Sequence, residues 1–251
     1  MKSVKNKLIT AGAILFWLLV WETAARLIGK SVLLSAPTEV VGRLLALLPE
    51  EDFRESVFFT MGRVLLGFFL GTAVGIAFAA GAGKLPWLER LLAPLLSCIK
   101  SIPVASFTIL ALIWISSKNL SVLVSFLIAV PIVYSNLLEG IHALNKGLTE
   151  MAEVFRIPPL RRFFGVYLSQ LLPSFRSASR LAMGLCWKSG VAAEVIGIPN
   201  GSIGEKLYSS KIYLETADLF AWTVVVILCS LLCEKLFLLL TDAAAKRIER
   251  M

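Results

Sequence analysis

An all-α integral membrane protein of about six transmembrane helices, with both termini cytoplasmic, is the fold class the sequence predicts. Three observations carry it. Of the 251 residues, 57% are hydrophobic and only 17% charged, where a soluble domain sits nearer half and a quarter; the mean hydropathy is +0.81. Apolar runs recur at roughly the twenty-residue length that crosses a hydrocarbon core of about 30 Å. Finally, Lys and Arg fall in alternate loops, with 15 on the inner side of this topology, 6 on the outer side and 4 in the spans or near their ends. That is the bias that sets orientation in a membrane, so the formal charge of +8 needs no nucleic-acid partner to explain it.

Residues 1–251 read as a single transmembrane domain. The first span, about 8–28, follows Lys2, Lys5 and Lys7 and is extended by Trp17, Trp21, Glu22 and Arg26 without a small-residue cleavage site, so it reads as retained rather than as a removed signal. From Leu33 to Glu55, Val40, Leu44, Leu45 and Leu48 recur at helical spacing, which predicts a short amphipathic helix on the outer surface. A second span over about Phe58–Ala82 holds Gly67, Gly71 and Gly75 four residues apart, with Ala79 continuing the row. Such a row shares one helix face and suits close helix packing; a pore-lining role for the same face is the alternative. The Gly81–Lys84 stretch, GAGK, is not a phosphate loop, since Leu85 stands where Ser or Thr is needed and no strand precedes it. Further spans are expected over about Ile102–Ile115 with Pro103 near its start, Leu120–Leu138 with a kink at Pro131, Ser177–Gly197, and Leu219–Leu240.

Chemistry-bearing residues are few. The single histidine, His142, excludes a zinc-protease motif, and Cys98, Cys186, Cys229 and Cys233 lie in or near spans without metal-ligand clustering. No catalytic residue and no metal site is expected. Lys188, about midway along the fifth span, is the exception: a charge at that depth is costly unless it faces protein or water. It either meets a carboxylate on another helix or lines a translocation path, where it would favour an anion. Glu194, six residues on, is rotated by about 600° and so cannot pair with it along the helix.

The longest polar interruption is Leu148–Pro173, LTEMAEVFRIPPLRRFFGVYLSQLLP, a basic stretch that belongs in water on the inner side. It resembles the EAA loop of the membrane subunits of bacterial ABC importers. Glu150, Met151 and Ala152 stand at the Glu-Ala-Ala positions, and Val166, Leu168 and Pro173 match its end without a gap. Met151 replaces an Ala, Arg156 the Gly, and Ser169 the first Pro; Gly permits φ > 0 and Arg resists it. Ser35–Val40 (SAPTEV), the Ser101-Ile102-Pro103 segment and SGVAAEVIGIPNGSIG, with Gly201 and Gly204, resemble further segments of the same family, best in its nitrate/sulfonate/taurine branch.

That resemblance implies a type I importer permease bundle, with a permease core over about 56–240 and a coupling loop over 148–173. It implies that Glu150, Met151, Ala152, Phe155, Arg156, Ile157, Arg161 and Arg162 serve coupling to a partner, with Glu150 capping a helix start or pairing with a basic residue of that partner. Glu194 falls at the family's glutamate near the outer end of its span, a gate or packing position. The implied partners are a dimer of ABC ATPase subunits, a second permease copy or paralogue, an extracytoplasmic solute-binding protein and the bilayer of a bacterial inner membrane. The chain itself binds no cofactor on this reading, with ATP and Mg held by the ATPase. The solute class implied is a small anion of the nitrate, sulfonate or taurine kind. A vitamin-precursor pyrimidine is the alternative within the family, and an ATPase-independent channel or secondary carrier is the alternative outside it.

Overall fold

The computed structural model describes residues 2–248, with side chains from residue 9 onward to 243 and at 245. The basic residues Lys2, Lys5, Lys7, Lys246, Arg247 and Arg250 used in the charge count therefore lie outside the described side chains. In chain order the helices are α1 (Lys2–Ile28), α2 (Pro37–Leu47), α3 (Glu51–Ala82), α4 (Pro86–Ser101), α5 (Val104–Ala111), α6 (Leu120–His142), α7 (Lys146–Val154), α8 (Pro159–Arg162), α9 (Ser169–Gly197), α10 (Ile203–Ile212) and α11 (Thr216–Ile248). No strand occurs among the described residues.

The centre of the bundle is α3, α6 and α9. Val64 and Phe68 of α3, Val133 and Leu137 of α6, and Met183 and Trp187 of α9 are buried together. Small residues allow the helices to close on one another. A Cβ at Gly67 would overlap the Val122 carbonyl of α6, one at Gly71 would lie 2.7 Å from the Ala129 Cβ, and one at Gly75 would lie 2.9 Å from the Val133 Cβ. Between α6 and α9, Ser125 Oγ donates to the Cys186 carbonyl at 3.3 Å and Cys186 Sγ to the Ser125 carbonyl at 3.2 Å. Such contacts replace the hydrophobic drive that lipid does not supply. At the rim, Arg43 of α2 holds Asp218 of α11 through two hydrogen bonds, Nη2 to Oδ2 at 2.9 Å and Nε to Oδ1. Near its end α1 meets the body, where the Trp21 and Phe220 rings lie 5.2 Å apart and Thr38 donates to Glu22.

Several expected boundaries move. Residues 9–28 of α1, α3, α6 with its preceding turn from Ser117, and α11 to Ala243 are, among the described residues, long and apolar enough to cross a membrane. The expected third span is not one of them. Its residues form the eight-residue α5, about 12 Å long, which meets α4 at a 97° bend. Pro103 causes the break: the residue before a proline is driven out of the helical region, and Ile102 is extended at φ −72°, ψ 126°. The outer amphipathic helix stops at Leu47, and the acidic run Glu51, Asp52 and Glu55 instead opens α3, where carboxylates favour the positive end of the helix dipole. The expected fourth span is α6, which stays helical through Pro131 and on to His142. In the polar interruption the chain is already helical at Pro159 and continues through α8 and a π-helical turn at Phe163–Leu168 into α9. Pro173 thus lies inside a helix, and re-entry does not wait for Ser177. The 29-residue α9 covers the expected fifth span, Ser177–Gly197, but with Arg176, Arg180, Lys188 and Glu194 it is not among the helices apolar enough to cross a membrane by composition.

Candidate coupling and translocation sites

The polar interruption is an elbow. Asn145 caps α7, its Oδ1 accepting from the Leu148 amide at 3.3 Å, so the cap position belongs to Asn145 and not to Glu150, which is exposed one turn further on. The Asn145 amide in turn donates to Gln170 Oε1 at 2.9 Å, tying the start of α7 to α9. The helix ends in a Schellman motif: the Ile157 amide donates to the Ala152 carbonyl at 3.0 Å and the Arg156 amide to the Glu153 carbonyl at 2.9 Å. The residue between the two bonds takes the left-handed conformation, and here it is Arg156, at φ 47°. The backbone has kept the turn that a Gly would make without strain.

Ala152 is fully buried inside this elbow, so its small size is used within the chain. Arg162 turns inward as well, with Nη2 donating to Glu153 Oε1 at 2.6 Å and to the Tyr167 hydroxyl at 3.0 Å. The Glu153 carboxylate, followed by Tyr167, holds the guanidinium above its ordinary pKa. Of the sequence-derived coupling residues, Ala152 and Arg162 therefore shape the elbow and Ile157 is half-buried, whereas Glu150, Met151, Phe155, Arg156 and Arg161 are on its surface. Val154, Phe155 and Leu160 are 79%, 73% and 73% exposed, an apolar edge on a segment too polar for lipid.

Within the bundle, Lys188 and Glu194 part company. Lys188 is exposed on the α11 side of α9, in a cleft of ≈ 500 Å³ that it shares with Gly184, Trp187, Thr223 and Ser230. Among the described residues no carboxylate pairs with it. Glu194 is completely buried on the other side of α9. Its Oε2 accepts from Thr60 Oγ1 of α3 at 2.8 Å and from the Gly204 amide of α10 at 3.4 Å, while Thr60 Oγ1 accepts from the Ile203 amide at 3.0 Å. A Cβ at Gly204 would collide with the Glu194 side chain, so this position must be glycine for α10 to seat. The carboxylate is a clamp between three helices. Immediately beyond it Ile198 ends α9 at φ 46°, a strained value for a β-branched residue. The Gly67, Gly71 and Gly75 face is spent on α6 and lines no cavity with Lys188.

Sequence reasoning missed Thr60, which carries no local signal because its partner is 134 positions away. It also passed over Arg176 and Arg180 of α9, which meet Asp242 at 2.8 Å and Glu234 at 3.0 Å on α11. Their four-residue spacing was the available signal.

The binding-protein-dependent transport system inner membrane component family matches residues 71–250. Among curated proteins, SsuC of Escherichia coli, named as an aliphatic sulfonates transport permease protein, is 28% identical over 236 residues, covering 92% of this chain and 86% of its own. TauC of the same organism, a taurine transport system permease protein, is 24% identical over 234 residues, covering 90% and 84%. ThiX of Halalkalibacterium halodurans, a formylaminopyrimidine transport permease protein, is 26% identical over 193 residues, covering 74% and 75%.

Proposed function

We propose, from the premise that the chain belongs to the family of binding-protein-dependent transport system inner membrane components, that it forms the pathway of an importer for a small anionic solute of the sulfonate or taurine kind. A separate ATPase, carrying ATP and Mg, drives it through the α7–α8 elbow. A second copy or a paralogue completes the pathway, and an extracytoplasmic binding protein delivers the solute. In this arrangement α9 is a span, the bent α4–α5 pair is another, and both termini are cytoplasmic.

The observation that carries this reading is the elbow. Its inner residues Ala152 and Arg162 are consumed by the fold, while Val154, Phe155 and Leu160 face outward with nothing among the described residues to cover them. A channel or carrier working alone leaves that edge without a role. The anionic preference rests on Lys188, a cation within a span that pairs with no carboxylate among the described residues, since charges at such depth face protein or water rather than lipid. A formylaminopyrimidine-like solute is the second reading, supported by the likeness to ThiX; it gives Lys188 less to do.

The test is uptake and ATP hydrolysis in vesicles holding the permease, its ATPase and its binding protein. Val154→Ser with Phe155→Ser is expected to abolish solute-stimulated hydrolysis while leaving the thermal midpoint of the purified permease in place. Full coupling in that variant would remove the elbow from the mechanism. Lys188→Gln is expected to reduce ethanesulfonate uptake about tenfold, the equivalent of one charged contact of about 1.4 kcal/mol.

A further inference from the structure

We infer that α9 carries a second anion-binding station, formed by Arg176 and Arg180 on the inner side of Lys188, which receives the oxyanion before it leaves for the cytoplasm. This rests on the reading that Lys188 faces the pathway. Arg176, Arg180, Gly184 and Lys188 follow one another at four-residue intervals, so they form one slowly turning row on the helix, each about 6 Å from the next. The row passes two separate hollows, each walled by α9 and α11. The upper is the cleft of Lys188, which Gly184 also lines. The lower, of ≈ 320 Å³, is walled by Pro173, Arg176, Ser177, Arg180 and Leu238. Gly184 stands between the cations in open space, for a Cβ built there meets nothing within 4 Å. No packing requirement explains a glycine at that point of α9. An unobstructed corridor from Lys188 to Arg180 does.

The two arginines are held but not saturated. Arg180 pairs with Glu234 at 3.0 Å and Arg176 with Asp242 at 2.8 Å, while their side chains remain 67% and 45% exposed. Each guanidinium has five N–H donors, so donors are left over after one carboxylate. Their planar fork matches the paired oxygens of a sulfonate, phosphate or carboxylate. Asp242 Oδ1 has no hydrogen-bond partner although it is buried, so this acid is itself incompletely matched to its arginine. The acids also distinguish the stations. Lys188 has no carboxylate beside it and attracts an anion unopposed, whereas at Arg180 and Arg176 the anion competes with Glu234 and Asp242. A weaker station on the cytoplasmic side favours release inward.

The same vesicles test the station, with ethanesulfonate as the probe. Gly184→Leu places a side chain in the corridor at a point where a Cβ meets nothing within 4 Å, and is expected to cut uptake about tenfold with the thermal midpoint unchanged. Arg180→Met with Glu234→Met replaces the ion pair by an apolar pair, a change that costs little stability for a pair this exposed. It is expected to lower uptake similarly and to weaken ethanesulfonate binding to the permease measured by equilibrium dialysis. Unaltered uptake in both variants overturns the station. Loss of uptake in both, with full uptake by Lys188→Gln, overturns the reading of Lys188 and leaves the arginine station standing. A lipid headgroup is the other source of a phosphate oxyanion. If the Arg180 effect appears only in vesicles containing phosphatidylglycerol and vanishes in pure phosphatidylcholine, the arginines hold lipid and the transport role is overturned.

Discussion

Thr60 and Glu194, 134 positions apart, meet at 2.8 Å with neither side chain open to solvent. The hydroxyl gives its proton to the carboxylate and takes the Ile203 amide as donor at 3.0 Å, so one side chain of α3 fixes both α9 and α10. The contact sits beside the strained Ile198 turn that joins those two helices. A corner shared by α3, α9 and α10 results.

Thr60→Val keeps the shape and removes both hydrogen bonds. It leaves a buried carboxylate and a buried amide short of a partner, for an expected loss of about 1–3 kcal/mol. The thermal midpoint of the purified permease should fall, and Thr60→Ser should restore most of it. An unchanged midpoint in the valine variant would show that the corner is held by packing alone.

Arg156→Gly should stabilise the elbow by about 1 kcal/mol, because a left-handed residue other than Gly carries a cost of that order. Arg156 makes no ion pair within the described chain, so nothing internal is lost. Uptake is expected to persist. Loss of coupling in this variant, most marked at low salt where such a pair is unscreened, would instead identify Arg156 as an ion-pair contact to the ATPase.

Gly71→Leu should prevent α3 and α6 from closing. A Cβ alone would already lie 2.7 Å from the Phe126 carbonyl oxygen, and helices in lipid have little else to hold them once close approach is lost. Yield and monodispersity in size-exclusion chromatography are the readouts. A normal profile would mean that the α3–α6 seam tolerates separation.

Topology has its own check. Reporter fusions after Lys146 and after Arg250 are expected to read cytoplasmic, and one after Lys206 periplasmic. A periplasmic signal at Lys146 would place the elbow beyond the reach of an ATPase.

What the sequence determined by itself was everything governed by local rules. Hydrophobic length and charge bias identify the membrane protein. The spacing of Gly67, Gly71 and Gly75 identifies a packing face, because four residues make nearly one turn wherever a helix forms. The run from Glu150 to Pro173 marks the family that residues 71–250 match. Pro103 was visible too, but its effect was underestimated: a missing amide and a restricted neighbour turned an expected span into a right-angled pair. Tertiary structure alone decided the rest. That Ala152 faces inward, that Arg162 is spent on Glu153, and that Arg156 accepts a left-handed turn depend on how α7 folds back on α9. That Glu194 is a clamp while Lys188 stands unpaired in a cleft depends on which helices flank α9 on each side. Local rules do not contain that information, because burial and pairing are properties of neighbours that the fold brings together, from nine positions apart for Arg162 and Glu153 to 134 for Glu194 and Thr60.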